Sequence, residues 1–373
     1  TQDTTRTTST IIRKQGRQLQ REDTGGKGWN LLRLRRLGFP VPPFVILSAR
    51  VFTDCTLEHR AEISALLNGL RIENHDQITR VSSRVRSLIA GLPISDDVIR
   101  DIYRGFDDVA GPGGLVSVRS SVSGEDGSEH SFAGQMDSVL NVSREVVTIA
   151  VRQVWASAFS ARAVAYRLRA GLPLLDIGIG VVLQRMLQSE ASGVLFTRNP
   201  VTGDAECVIT AGYGLGEGVV TDQVETDSYR CPLGGTDVHA DIAEKQYAMV
   251  KSQNGDGGVQ RACVPACRRK TAILRDIEVL QLRDWSMRLE SALGTPVDVE
   301  WARAEDGALF LLQVRPITIV QTSARNLQVW DNANIVESYP GMTTPLTFSF
   351  IREAYERAFS AAVRGFLLRS APM

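Results

Sequence analysis

Histidine and cysteine are both scarce, and neither is arranged in a way that announces a chemistry. The histidines are His59, His75, His130 and His239, and the cysteines are Cys55, Cys207, Cys231, Cys263 and Cys267. An odd number of scattered cysteines makes no disulfide framework and points to a reducing, cytoplasmic compartment. Cys263 and Cys267 form C-x3-C, but without a second pair or a nearby His they read as surface thiols rather than a zinc site. Neither sign of charge is in excess, since 42 Lys and Arg face 42 Asp and Glu. Bulk electrostatics therefore gives no case for nucleic acid or an anionic membrane as partner. No apolar run approaches the ~20 residues of a membrane span. The polar start, TQDTTRTTSTIIRKQGRQLQRED, has no signal-peptide h-region and no initiating Met, which points to processing or trimming. Internal repeats and low-complexity tracts are missing too. What remains is a chain of 373 residues, 43% apolar and 23% charged, ordinary for a soluble protein of about two domains.

The most informative stretch is VDVEWARAEDGALFLLQVRPIT, residues 297–318. It reads as two strands joined by a tight turn at Glu305-Asp306-Gly307. Side chains at i and i+2 share a strand face, which pairs Asp298 with Glu300 and Gln313 with Arg315. Around them stand Val297, Val299, Trp301, Leu309, Leu311 and Val314. Two carboxylates, an amide and a guanidinium in apolar surroundings are costly without partners. A hard cation with a polyphosphate would satisfy all four, and so would a salt bridge across the hairpin.

Upstream, Thr24-Gly25-Gly26-Lys27-Gly28 precedes a helical pattern, WNLLRLRRLG, with Leu31, Leu32, Leu34 and Leu37 on its apolar face. A Lys beside glycines at a helix start suits an anion, although a turn with a solvated Lys fits the same residues. The spacing is not that of a Walker A loop, because Arg21 and Gly28 stand where a Gly and a Ser or Thr belong. Residues 50–110 read as several helices with a break at Gly91-Leu92-Pro93. LVSVRSSVSGEDGSEHSFAGQMDSVLNV, residues 115–142, is a strand carrying Arg119 and then a long Ser/Gly-rich loop. Such a loop is either a phosphate cradle or a solvated surface segment. His130 lies in it and reads as exposed. Residues 145–170 read as one long amphipathic helix. IGVVLQRML is a strand ending in Gln184-Arg185-Met186-Leu187, a hinge between two lobes. SGVLFTRNPVTGD and AECVITAGYGLGEGVV are strands with turns. The glycines of the second fail G-x-G-x-x-G spacing, so a dinucleotide fold is not supported. TAILRDIEVLQLRDWSMRLESALG is an amphipathic helix carrying Ile277, Leu280, Leu282, Trp285, Met287 and Leu289. After Pro316 the sequence turns polar, and FIREAYERAFSAAVRGFLL then reads as a helix with little chain to pack on. That points to a fragment, or to a partner helix supplied elsewhere.

Together, GGKGWNL…GFPVPPF, SVRSS…GEDG…SFAGQMDSVLN, SGVLFTRNPVTGD with GYGLGEGVV, and DVEW…LQVRPIT resemble one family over residues 24–320. It is the N-terminal ATP-binding domain of the pyruvate phosphate dikinase, phosphoenolpyruvate synthase and rifampin phosphotransferase group. The resemblance implies an α/β, ATP-grasp-like fold of two lobes closing over ATP. The segments would be a flexible 1–23, a first lobe 24–184, a second lobe 185–319, and a 320–373 linker and helix leading to a missing domain. It implies Mg²⁺-dependent ATP cleavage, with the phosphoryl group passing to a histidine on a separate domain and then to a small-molecule acceptor, with AMP as product.

Residue by residue, Lys27 and Arg119 match phosphate-gripping positions and Arg315 the arginine at the reacting phosphates. These three are the implied catalytic residues. Gly134, Gln135 and Ser138 match the loop over the phosphates. Gln184, Arg185, Met186 and Leu187 match a hinge reading adenine largely through backbone groups. Asp298 and Glu300 match an acidic pair near ribose and metal, with Glu300 and Gln313 as metal ligands. The departure from the family is the phosphorylated histidine, since none of the four histidines sits in a Gly/Thr/Ser-His context. The carrier domain or subunit, like the acceptor site, is then absent from this chain. Two other readings stay open: an ATP-grasp enzyme acting directly on a small molecule, and a nucleotide-binding regulatory module without catalysis.

Overall fold

The computed structural model describes residues 10–13, 19–122, 136–252 and 258–317. Its frame is two antiparallel sheets. The first has the order β1-β2-β5-β3-β4, formed by β1 (Ile11–Ile12), β2 (Phe44–Leu47), β3 (Val116–Val122), β4 (Ser138–Val142) and β5 (Ile179–Arg185). The second has the order β13-β12-β6-β7-β8-β9. Its strands are β6 (Ser189–Phe196), β7 (Glu206–Tyr213), β8 (Asp227–Pro232), β9 (His239–Asp241), β12 (Val297–Ala304) and β13 (Leu309–Pro316). A separate ribbon pairs β10 (Tyr247–Lys251) with β11 (Val259–Cys263). The helices are α1 (Arg21–Arg36), α2 (Ala49–Thr56), α3 (Arg60–Leu67), α4 (His75–Ala90), α5 (Asp96–Ala110), α6 (Val147–Ser157), α7 (Ala161–Ala170), the short α8 (Glu217–Val220) and α9 (Asp276–Leu293).

Strand alternation divides the apolar side chains between two cores. On β5, Val181 and Leu183 enter a core shared with α2 to α7, while Val182 points the other way. That second core also takes Ile46 of β2, Leu31 and Leu34 of α1, Val297, Val299 and Trp301 of β12, and Val279, Leu282 and Leu289 of α9. Helix α1 is thus packed between the two sheets, against β3 and β5 of one and β13 of the other. The chain crosses from the first sheet to the second over Met186-Leu187-Gln188, between β5 and β6.

Several expectations are corrected. The first twenty residues are not all loosely attached, because Ile11 and Ile12 pair with Leu47 and Ile46 as an edge strand. Their side chains are buried, one in each core, and that burial holds an otherwise polar segment. The proposed boundary at 23/24 also falls inside α1. The long helix over 145–170 is two helices. Ser160 caps the second by accepting from Ala163 N–H at 3.3 Å, and such a cap competes with helix continuation. On α9 the buried stripe is Val279, Leu282, Ser286 and Leu289, whereas Ile277 and Met287 face solvent. The expected linker and helix beyond residue 317, with His130, Gly134 and Gln135, lie outside the described residues.

Candidate functional site

The β12–β13 hairpin turns at Glu305–Gly307 as its sequence requires, with Gly307 at φ 84°. Asp298 stands opposite Arg315, and Glu300 opposite Gln313. Strict alternation would put Leu309 and Leu311 on the same face as Gln313 and Arg315. A bulge prevents this: the register shifts between Glu300 and Trp301, so that Trp301 faces Leu311 and Leu312 is the extra residue. The bulge keeps Leu309 and Leu311 in the core and the polar four on the other face.

Arg119 reaches that polar face from the middle of β3 in the other sheet. Its Nη2 donates to Glu300 Oε2 at 2.8 Å and to Gln313 Oε1 at 2.6 Å. Its Nη1 donates to the carbonyl of bulged Leu312 at 3.2 Å and makes a long 3.5 Å contact with Gln184 Oε1. The side chains of Arg119 and Glu300 are 13% and 23% exposed, so the ion pair is largely shielded from water and stronger than a surface pair. One row along, Arg315 Nε donates to Asp298 Oδ2 at 2.6 Å. Burial pushes the Asp298 carboxyl up from its ordinary value, the Arg315 charge pulls it partly back, and the net direction is upward. Gln184 is buried, and its Nε2 has no hydrogen-bond partner among the described residues. An orphaned buried donor costs about 1–3 kcal/mol. It marks a place where an acceptor atom is wanted.

Lys27 enters through a break in α1. Gly25 has φ 69° and ψ 177°, which interrupts the helix. A side chain there would put Cβ 2.0 Å from the Ser121 carbonyl oxygen, so only glycine allows the approach to β3. The Ser121 hydroxyl donates to the Thr24 carbonyl at 2.6 Å and accepts from Gly28 N–H at 2.9 Å. Further along α1, Asn30 Nδ2 donates to the Val314 carbonyl at 2.9 Å, between Gln313 and Arg315.

Ser138 opens β4 opposite Arg119 and is exposed. Of the hinge, the Gln184 side chain joins the cluster but that of Arg185 turns away, its Nε donating to the Val109 carbonyl at 2.6 Å. The N–H groups of Arg185 and Met186 are held by the Pro43 and Leu115 carbonyls, each at 2.9 Å. Backbone reading by this hinge is therefore left to Leu187 and to carbonyl groups. Met186 packs on a small apolar cluster of Leu215, Val224 and Met249.

The structure thus brings Arg119, Gln184, Glu300 and Gln313 together, sets Asp298 and Arg315 beside them, and ties the Lys27 turn to the same strand. Sequence reasoning missed Ser121, Asn30 and the Leu312 carbonyl. The first could have been found, since it lies two residues from Arg119 on one strand face.

Glu300 and Gln313 offer a carboxylate and an amide oxygen, the donors a hard cation takes. Among the described residues, no group of three or more His, Cys, Asp and Glu gathers as a metal site. Two surface hollows of about 440 and 420 Å³ flank α9, sharing Met287 and Ser291, and neither includes any residue of this cluster.

The profile of the pyruvate phosphate dikinase AMP/ATP-binding domain matches residues 21–333. A "Probable phosphoenolpyruvate synthase" of Methanothermobacter thermautotrophicus is 33% identical over 350 residues, covering 89% of this chain and 49% of the relative. One of the same name from Archaeoglobus fulgidus is 34% identical over 311 residues, covering 82% and 41%. "Rifampicin phosphotransferase" of Bacillus subtilis is 31% identical over 336 residues, covering 87% and 38%. The chain thus spans about half or less of the length of these relatives. No helix among the described residues is long and apolar enough to cross a membrane. With a profile matching most of its length and relatives about a third identical across most of it, this chain belongs to the family of the pyruvate phosphate dikinase AMP/ATP-binding domain.

Proposed function

We propose that this chain binds and cleaves ATP with magnesium as part of a phosphotransferase. One phosphoryl group passes to a histidine on a separate domain or subunit, and from there to a small-molecule acceptor, while the other leaves to water as inorganic phosphate and AMP is formed. The observation that carries this reading is the Arg119 cluster. One guanidinium, shielded from water, is held by Glu300, Gln313 and a bulge carbonyl, beside the orphaned amide nitrogen of Gln184.

Phosphoryl transfer asks the protein for position and charge neutralisation more than for covalent chemistry. Arg119 has the planar fork that grips phosphate oxygens, and its present partners keep it oriented before ligand arrives. Arg315, aligned by Asp298, is a second guanidinium on the same face, in the position expected to meet the reacting phosphates. Lys27 adds a third cation from α1. Gln184 Nε2 would donate to an acceptor on the nucleotide. Magnesium would be held by Glu300 and Gln313 and would neutralise phosphate charge. The names of the relatives support the reaction class. In this reading the carrier histidine and the acceptor site belong to the stretch of those longer proteins that the match does not cover.

The test is to incubate the chain with ATP and Mg²⁺ without a partner and to follow binding and products together. Tight binding with negligible turnover is expected. Steady release of AMP or ADP would replace the carrier-histidine scheme by direct transfer to a bound acceptor or water. No binding at millimolar ATP would defeat the nucleotide reading altogether.

A further inference from the structure

The nucleotide site needs cations from two elements held at a fixed spacing, Arg119 on β3 and Lys27 on α1. We propose that Ser121 is the positioning residue that sets this spacing for the phosphates, an inference that rests on the nucleotide reading above.

In an unbroken helix Gly28 N–H would donate to the carbonyl four residues back, that of Thr24. Here the Gly25 break opens that bond and the Ser121 hydroxyl occupies it. The hydroxyl accepts from Gly28 N–H at 2.9 Å and donates to the Thr24 carbonyl at 2.6 Å. A side chain inserted into the ladder kinks a helix at a defined place. The inserted group must be donor and acceptor at once, which a hydroxyl is and an apolar side chain is not. Ser121 is fully buried, so water cannot readily substitute for it.

Its two bonds bracket Lys27 in sequence and fix the backbone on either side of it. Ser121 also shares a strand face with Arg119, two residues earlier. Contacts on both sides prevent the turn from drifting. Toward β3, the space a Gly25 Cβ would need is filled by the Ser121 carbonyl at 2.0 Å, and behind Gly28 the Ile46 side chain stands 2.9 Å from an added Cβ. The hydroxyl therefore joins the lysine-bearing turn to the arginine-bearing strand. Removing it frees the Lys27 backbone without touching either cation.

The test is a double-mutant cycle on Mg·ATP affinity, measured by calorimetry on this chain, with Ser121→Ala, Lys27→Ala and the double variant. Each single change is expected to weaken binding about tenfold. If Ser121 acts through Lys27, the double variant is within about twofold of Lys27→Ala rather than about a hundredfold weaker than wild type. A loss of packing unrelated to Lys27 would multiply the two effects and overturn the proposal, as would wild-type affinity in Ser121→Ala. Ser121→Thr keeps the hydroxyl and serves if the alanine variant does not fold. It should bind within about threefold of wild type, and a folded threonine variant with tenfold weaker binding overturns the proposal. Failure of the underlying reading looks different. Lys27→Ala would then bind ATP as wild type does, or wild type itself would not bind.

Discussion

Replacing Arg119 by Lys keeps the charge at the centre of the cluster and removes its shape. The guanidinium now donates to Glu300, Gln313 and the Leu312 carbonyl from two separate nitrogens. A single ammonium on a shorter reach keeps the ion pair and loses about two hydrogen bonds, at about 1 kcal/mol each. With the pair 13% and 23% exposed, solvent does little to replace them. A loss of about 2 kcal/mol lowers the melting temperature of a protein this size by about 2–3 °C. The effect on ligand should be larger in proportion. A phosphate that loses a two-pronged charged partner gives up about 1.5–3 kcal/mol, which weakens Mg·ATP binding about 10- to 150-fold. Differential scanning calorimetry and titration calorimetry on one preparation read both quantities. A variant destabilised as stated but binding ATP within about threefold of wild type would make Arg119 a structural strut between two sheets. The nucleotide would then have to lie elsewhere.

In the full-length phosphotransferase that carries the histidine, Glu300→Ala and Arg315→Ala should each abolish ATP cleavage with circular dichroism unchanged, and normal turnover in either would remove that residue from the site. Asp298 carries a raised carboxyl pKa in the folded chain, so folding favours its neutral form and its contribution to stability falls as pH rises above about 4. Asp298→Asn should therefore gain on wild type in melting temperature as pH rises from about 4 through the folded-state pKa, and a difference that is flat with pH would contradict the assigned direction. In the same full-length protein His130→Ala should retain ATP-dependent activity, and a dead variant would reopen that residue as the phosphoryl carrier.

Much of the candidate site was legible because it is local in sequence. The Glu305-Asp306-Gly307 turn fixes the hairpin, and i, i+2 spacing then pairs the acids with each other and the amide with the arginine. What the spacing could not show is the bulge at Leu312, since a bulge is settled by which leucines the core accepts. That one extra residue supplies the carbonyl Arg119 uses. The meeting of β3 with β13 was equally hidden, because the two strands belong to separate sheets and Arg119 and Gln313 are brought together only by the packing of one sheet on the other. Arg185 shows the same limit. It was matched to a hinge that reads adenine largely through backbone groups, but its N–H is held by the Pro43 carbonyl and strand alternation sends its side chain away from Gln184, where it tethers the end of α5. The long helix over 145–170 failed on a serine whose side chain competes with the backbone, a signal present in the sequence but outweighed by apolar periodicity.

The position of α1 has a consequence for how the molecule can be divided. Ile46 and Val182 of one sheet share a single apolar core with Val297, Val299 and Trp301 of the other, and Leu31 and Leu34 of α1 fill the space among them. Cutting the chain at the Met186–Gln188 crossover would expose that core on both pieces, and neither half could regain stability by itself. The two lobes should therefore melt in one transition. Expressed as separate halves, they should be recovered only when made together.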